Sequence, residues 1–178
     1  MFKNAVFIAG HTPERKGVKA YTGLWEHDFN KAICWQLATL DNVTIAHRYY
    51  ENYQNYVLSL LDYIPRDSLV IELHLNSSTI DVQGCEALTS GRDFKINTVA
   101  DILCQSFSKE FGVRNRGVKQ PIERGKYFVE KVPNSIIWEA FFCHHKDKTS
   151  ELFLQEPDKG VALMVSFWKR ILGEILNG

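Results

Sequence analysis

The chain has 178 residues, of which 45% are apolar and 24% charged, and its 21 basic and 21 acidic side chains cancel to a formal charge of zero. A chain of this size buries roughly 70% of the surface its unfolded form exposes, so one domain spanning 1–178 is expected, and disordered or fibrous classes are excluded. With no basic excess and no recognisable nucleic-acid module, bulk electrostatics offer no case for nucleic acid or an anionic membrane as a partner.

In chain order, Met1, Phe2, Lys3 and Asn4 lead directly into an apolar run over residues 5–9. This run reads as a strand and is too short for a signal-peptide core or a membrane span. The chain is therefore expected to be made in the cytoplasm and to remain there until something releases it. Phe29, Ile33, Leu37 and Leu40 then fall on one helical face, residues 43–46 read as a strand, and Tyr56, Leu60 and Tyr63 form a second helical stripe. Residues 69–73 are a third strand. Residues 84–88 read as a short strand, antiparallel and at an edge, and residues 127–129 as another. A helix over 97–111 carries Val99, Ile102, Leu103 and Phe107, and residues 135–138 make a further strand. A closing helix over 157–176 starts near Pro157 and presents Val161, Val165, Trp168, Leu172 and Ile175. Residues 112–126 are the longest irregular stretch. Alternating strands and helices predict an α/β fold around a largely parallel sheet.

Four cysteines occur, and the closest two, Cys85 and Cys104, are 19 positions apart, so no C-x-x-C knuckle or redox pair can be drawn. They are expected to be reduced, mostly buried thiols.

The chemistry concentrates after strands. His11 follows the first strand through Gly10, His74 follows residues 69–73, and Glu139 follows residues 135–138. Ligands of open α/β sheets bind beyond the carboxyl ends of strands, so the three converge on one crevice. Glu26 stands just ahead of the first helix, where an acid alone would be a dipole partner. Combined with His11 and His74 it completes a His₂Glu set, a ligand set of catalytic zinc sites that leave a fourth position open.

The ordered segments Ala9-Gly10-His11, Leu24-Trp25-Glu26, Arg48, His74-Leu75-Asn76, Gly84-Cys85-Glu86, Arg116-Gly117-Val118-Lys119 and Glu139-Ala140-Phe141-Phe142 resemble the type 3 zinc amidases that cleave N-acetylmuramoyl-L-alanine bonds. The resemblance runs from about residue 5 to the last helix. It implies a twisted, mostly parallel sheet of about six strands flanked by helices on both faces. It also implies Zn²⁺ on His11, Glu26 and His74, with Glu139 as the catalytic acid–base and peptidoglycan as the substrate. The sequence departs from the family at Ala9, where an acid is usual, at Thr12-Pro13, where glycines are usual, and at Ala140, where a glycine precedes the phenylalanine.

Ala9 leaves His11 without the usual carboxylate to orient it. Glu72 shares a strand face with His74 and Asn76, and is either the carboxylate behind a zinc ligand or a plain polar neighbour. Asn76, Arg116 and Lys119 are candidates for substrate contact; the two bases either hold substrate carboxylates or lie in a solvated loop. His27 and His47 are assigned no metal, and His144-His145 are either at the substrate's edge or in an exposed loop. The expected enzyme is a monomeric hydrolase of the glycan–peptide amide, most readily a phage or prophage lysin reaching the wall after holin-type release. Alternatives are another zinc peptidase or carboxypeptidase of wall peptides, or an inactive wall-binding module.

Overall fold

In β1 (Asn4–Ala9) Ala5 and Phe7 face one side of a sheet while Val6 and Ile8 face the other, and all four are buried. A strand that is apolar on both faces must be covered on both. The structure, a computed structural model, describes residues 2–48 and 52–177, with the side chains of Arg124 and Asn177 set aside. The strands are completed by β2 (Val43–Ala46), β3 (Ser68–Asn76), β4 (Cys85–Leu88), β5 (Asn115–Lys119) and β6 (Ser135–Phe142). They form one six-stranded sheet in the order β2-β1-β3-β6-β4-β5. Pairing is parallel throughout except between β4 and β6.

Helices α1 (Glu26–Leu37), α3 (Phe94–Phe111), α5 (Lys148–Leu154) and α6 (Pro157–Asn177) pack on the face carrying Phe7, Ile71 and Trp138. That core is aromatic: Trp168 meets Phe7 edge-on with centroids 4.9 Å apart, and Phe107 meets Trp138 at 5.3 Å. Helices α2 (Tyr53–Tyr63) and α4 (Arg124–Lys131) cover the opposite face, over Val6, Val70 and Ile137. Strand alternation puts Glu72, His74, Asn76, Glu86 and Glu139 on this second face, in line with Val70, Ile137 and Leu88.

Several boundaries differ from expectation. β3 continues to Asn76 and β6 to Phe142, so His74 and Glu139 lie within strands, as directly paired neighbours, and not beyond their ends. The short strand at residues 84–88 is antiparallel to β6, but the edge belongs to β5, which occupies part of the stretch expected to be irregular. Residues 127–129 are helical, because Phe128, Val129 and Val132 share one face that docks on the second core. Two stripe positions, Tyr63 and Ile102, are exposed. All four cysteines are free and buried.

Candidate metal centre and active site

Glu26 opens α1 with Trp25 at the N-cap position, where no side chain caps the helix. The free N–H groups of the first turn are met by loop backbone instead: Glu26 N–H donates to the Val18 carbonyl and His27 N–H to that of Lys16. The loop that follows β1 is thereby folded back onto the helix start. The Glu26 side chain, 1% accessible, points among four donors. Its Oε2 accepts from Val18 N–H at 3.0 Å and faces His11 Nε2 at 3.0 Å; its Oε1 accepts from Leu75 N–H at 3.0 Å and faces His74 Nδ1 at 2.9 Å.

The backbone is shaped for this contact. His11 has φ of 68°, a left-handed conformation unusual outside glycine and costing of order 1–3 kcal/mol. Gly10 lies so close to β3 that a Cβ there would stand 2.5 Å from His74 Cε1 and 2.6 Å from the Leu73 carbonyl. Gly17, at φ of 76°, has no room for a Cβ beside Glu26 and His11. These two glycines let both histidines approach one carboxylate.

One ligand atom from each of His11, Glu26 and His74 lies within 4.8 Å of the others. Two imidazoles and a carboxylate at this spacing are the donor set of a catalytic zinc site, so the residues present fit a divalent ion. Burial pushes the Glu26 carboxyl upward, but the hydrogen bonds and charge of His11 and His74 outweigh it and hold it well below the usual range. Burial alone would lower His74, yet Glu26 and Glu72 raise it above its ordinary value.

Glu72 does not point away from the centre. Its Oε2 stands 3.6 Å from His74 Nε2, the ring nitrogen opposite the one facing Glu26, and accepts from Tyr53 Oη–H at 3.2 Å. Carboxylates placed in this way behind a ligating imidazole fix its orientation.

Glu139 pairs with His74 across β3 and β6, and Glu86 pairs with Glu139 across β6 and β4, so three ionisable side chains form a row over three strands. The Oε2 of Glu139 is buried and has no hydrogen-bond partner among the described residues. Its carboxyl is pushed up to about 7, chiefly by burial, with His74 opposing and Glu26, Glu86 and Glu72 adding to the rise.

Sequence reasoning quoted Glu86 without giving it work. The structure makes it a hub: Oε1 accepts from Asn76 Nδ2 at 2.8 Å, and Oε2 accepts from Arg116 Nε at 2.6 Å and Lys119 Nζ at 2.5 Å. Asn76, Arg116 and Lys119 thus converge on a protein carboxylate. An acid flanked by Cys85 and Ala87 on an otherwise buried strand was the available signal.

The remaining histidines stand apart from the three donors. His27 Nδ1 bonds the Gly10 carbonyl at 2.9 Å. His144 and His145 are half-buried, not exposed: Ser78 N–H donates to His144 Nδ1 at 3.3 Å, His144 Nε2 lies 2.7 Å from His145 Nδ1, and His145 Nε2 is 3.1 Å from Asp81. That chain ties the loop after β3 to the loop after β6.

A family profile described as N-acetylmuramoyl-L-alanine amidase matches residues 6–163. No curated protein sequence matches the chain closely enough to count as a relative. Among solved structures, the N-acetylmuramoyl-L-alanine amidase from Clostridium difficile 630 superposes with a TM-score of 0.72 at 16% identity, covering 97% of this chain and 98% of that one. The amidase AmiC2 of Nostoc punctiforme gives 0.72 at 18% identity, covering 99% and 98%. The catalytic domain of the CD27L endolysin targeting Clostridia difficile gives 0.67 at 22% identity, covering 99% and 98%. At these identities the likeness is one of fold, and the family rests on the profile. With that match spanning most of its length, the chain belongs to the N-acetylmuramoyl-L-alanine amidase family.

Proposed function

We propose that the chain, acting as one catalytic domain, is a zinc-dependent hydrolase of the amide between N-acetylmuramic acid and L-alanine in peptidoglycan. The observation that carries this reading is the convergence of His11, Glu26 and His74 beside Glu139, which pairs with His74 across the strands and whose Oε2 has no hydrogen-bond partner among the described residues. A zinc ion on the three donors supplies Lewis acidity, polarising an amide carbonyl and making water a nucleophile near neutral pH. Glu139, within the adjoining strand, takes a proton on Oε2 from the attacking water and passes it to the leaving L-alanine nitrogen. Glu72 holds His74 through Nε2, and Glu86 holds Asn76, Arg116 and Lys119 in a fixed frame next to Glu139. In this reading Asn76 and the two bases border the substrate.

Mass spectrometry of fragments released from purified peptidoglycan tests the reaction. Peptide-free glycan and stem peptides with a free L-alanine amine, lost on zinc chelation, are expected. New termini within the peptide would replace this reading with a wall peptidase.

We extend the reading to a lysin of phage or prophage origin that reaches the wall after release from the cytoplasm. Its support is the family and the fold shared with an endolysin catalytic domain. A holin or phage structural gene beside the coding sequence would bear this out, and a chromosomal setting without phage genes would count against it. Among the described residues no helix is long and apolar enough to cross a membrane.

A further inference from the structure

His27 is not one of the three donors, yet it is buried, 6% accessible, and follows Glu26 directly in the first turn of α1. Its Nδ1 lies 2.9 Å from the Gly10 carbonyl. A carbonyl only accepts, so Nδ1 carries a proton and donates it.

The place of that acceptor gives the bond its consequence. The Gly10 carbonyl and the His11 N–H belong to one planar peptide unit, and rotation of that unit about the His11 N–Cα bond is the φ of His11. Holding the carbonyl therefore holds the angle. It is 68°, a left-handed conformation that a side-chain-bearing residue keeps only where its surroundings impose it. Residue 10 does not impose it. Glycine is required there for the close approach to His74 and Leu73, and glycine leaves the following peptide unit free to turn.

The flanking peptide units are held by backbone. Gly10 N–H donates at 2.9 Å to the Leu73 carbonyl, which also accepts from Asn30 Nδ2 at 3.1 Å, and Thr12 N–H donates to the Arg15 carbonyl at 3.2 Å. Between them, the unit that sets φ at His11 is held by a side chain, that of His27. Consecutive residues of α1 thus serve one imidazole from two sides: Glu26 Oε2 faces His11 Nε2 at 3.0 Å, and His27 grips the backbone that carries it.

We propose that His27 is a positioning residue of the metal centre, its Nδ1–H on the Gly10 carbonyl holding His11 in the left-handed conformation that turns Nε2 toward Glu26. This assignment rests on the zinc reading above.

The test replaces His27 by two neutral amides. The Asn nitrogen stands as many bonds from Cα as Nδ1 and can reach the Gly10 carbonyl; the Gln nitrogen is one bond further out and cannot. Zinc affinity is measured on folded protein by competition with a chromophoric chelator. His27→Asn should bind zinc as wild type does, and His27→Gln more weakly by about tenfold, as for other groups that orient a ligand from behind. His27→Leu, apolar and suited to a buried site, takes the place of His27→Gln should that variant not fold. Val57→Ala, in the core on the other face of the sheet from α1, should lose stability in urea and keep its zinc affinity. Wild-type affinity in His27→Gln or His27→Leu, an equal loss in His27→Asn, or a matching loss in Val57→Ala would overturn the assignment. If wild type binds no zinc, the metal reading has failed instead. The His11 backbone amide shift in the metal-free proteins then decides the assignment alone: a shift moved by Gln and restored by Asn supports it, and one common to all three refutes it.

Discussion

The two flanks of the candidate metal centre hold similar side chains in different states. Toward β4 and β5, two cations and an amide are consumed by one acid: Glu86 receives Asn76, Arg116 and Lys119, and each distance is at or below 2.8 Å. Toward β2, Arg48 and Lys31 line a cavity, and Arg48 Nε and His27 Nε2 have no partner among the described residues. A satisfied network holds its members in one geometry. Charge alone does not separate them, and a basic residue near an active site says little until its acid is identified. Arg116 and Lys119, which the sequence left as either holders of substrate carboxylates or members of a solvated loop, have much of their charge already answered by Glu86.

The comparison can be broken in several places. The largest effect belongs to the group between the flanks: Glu139→Gln should lower kcat by about 10²–10⁴-fold with little change in KM, measured on purified peptidoglycan. Next comes the closed flank. Glu86→Ala leaves two cations and an amide facing one another, and should cost about 2 kcal/mol in urea unfolding, less than for a wholly buried pair because Lys119 is 40% accessible.

Glu86 also predicts a pH effect. Burial raises its carboxyl, but Lys119 and Arg116 outweigh that and hold it below its ordinary value of 4.5. A carboxyl lowered by folding contributes stability that is complete above the ordinary value and is lost as pH falls through the folded one. Wild type should therefore lose stability below about pH 4.5 more steeply than Glu86→Gln, as followed by thermal unfolding at stepped pH. Parallel curves would mean that the network is loose in solution. The smallest effect is on the open flank, where Lys31→Gln should change stability by no more than about 0.5 kcal/mol in the same urea assay. A larger loss would show that Lys31 supports the fold.

Much of the centre was legible in the sequence because its signals are local. His11 stands where β1 gives way to a loop, Glu26 opens α1 and His74 lies two residues from the end of β3, and the structure brings their ligand atoms within 4.8 Å. Strand alternation likewise put Glu72 on the face of His74. The closed flank was not legible. β5 reads Asn-Arg-Gly-Val-Lys, with neither alternation nor a β-branched run, and takes its form from pairing with β4. The register of that pairing shifts between Cys85 and Ala87, so no counting from the sequence would set Arg116 and Lys119 on Glu86. Tyr127, Phe128 and Val129 favour a strand by type and become helical because their burial on the second core requires helical spacing. The cavity toward β2 was invisible for a related reason: its lining comes from β1, β2, α1 and their loops, which no local pattern in the sequence joins.

The account turns on a division of labour in which three residues hold the metal and a fourth moves the proton. Elemental analysis and turnover of purified Glu139→Gln, beside wild type and His74→Ala, test this most directly. The account predicts an equivalent of zinc per chain in wild type and in Glu139→Gln, with turnover in wild type alone, and loss of both metal and turnover in His74→Ala. Glu139→Gln without zinc, or with wild-type turnover, would contradict it.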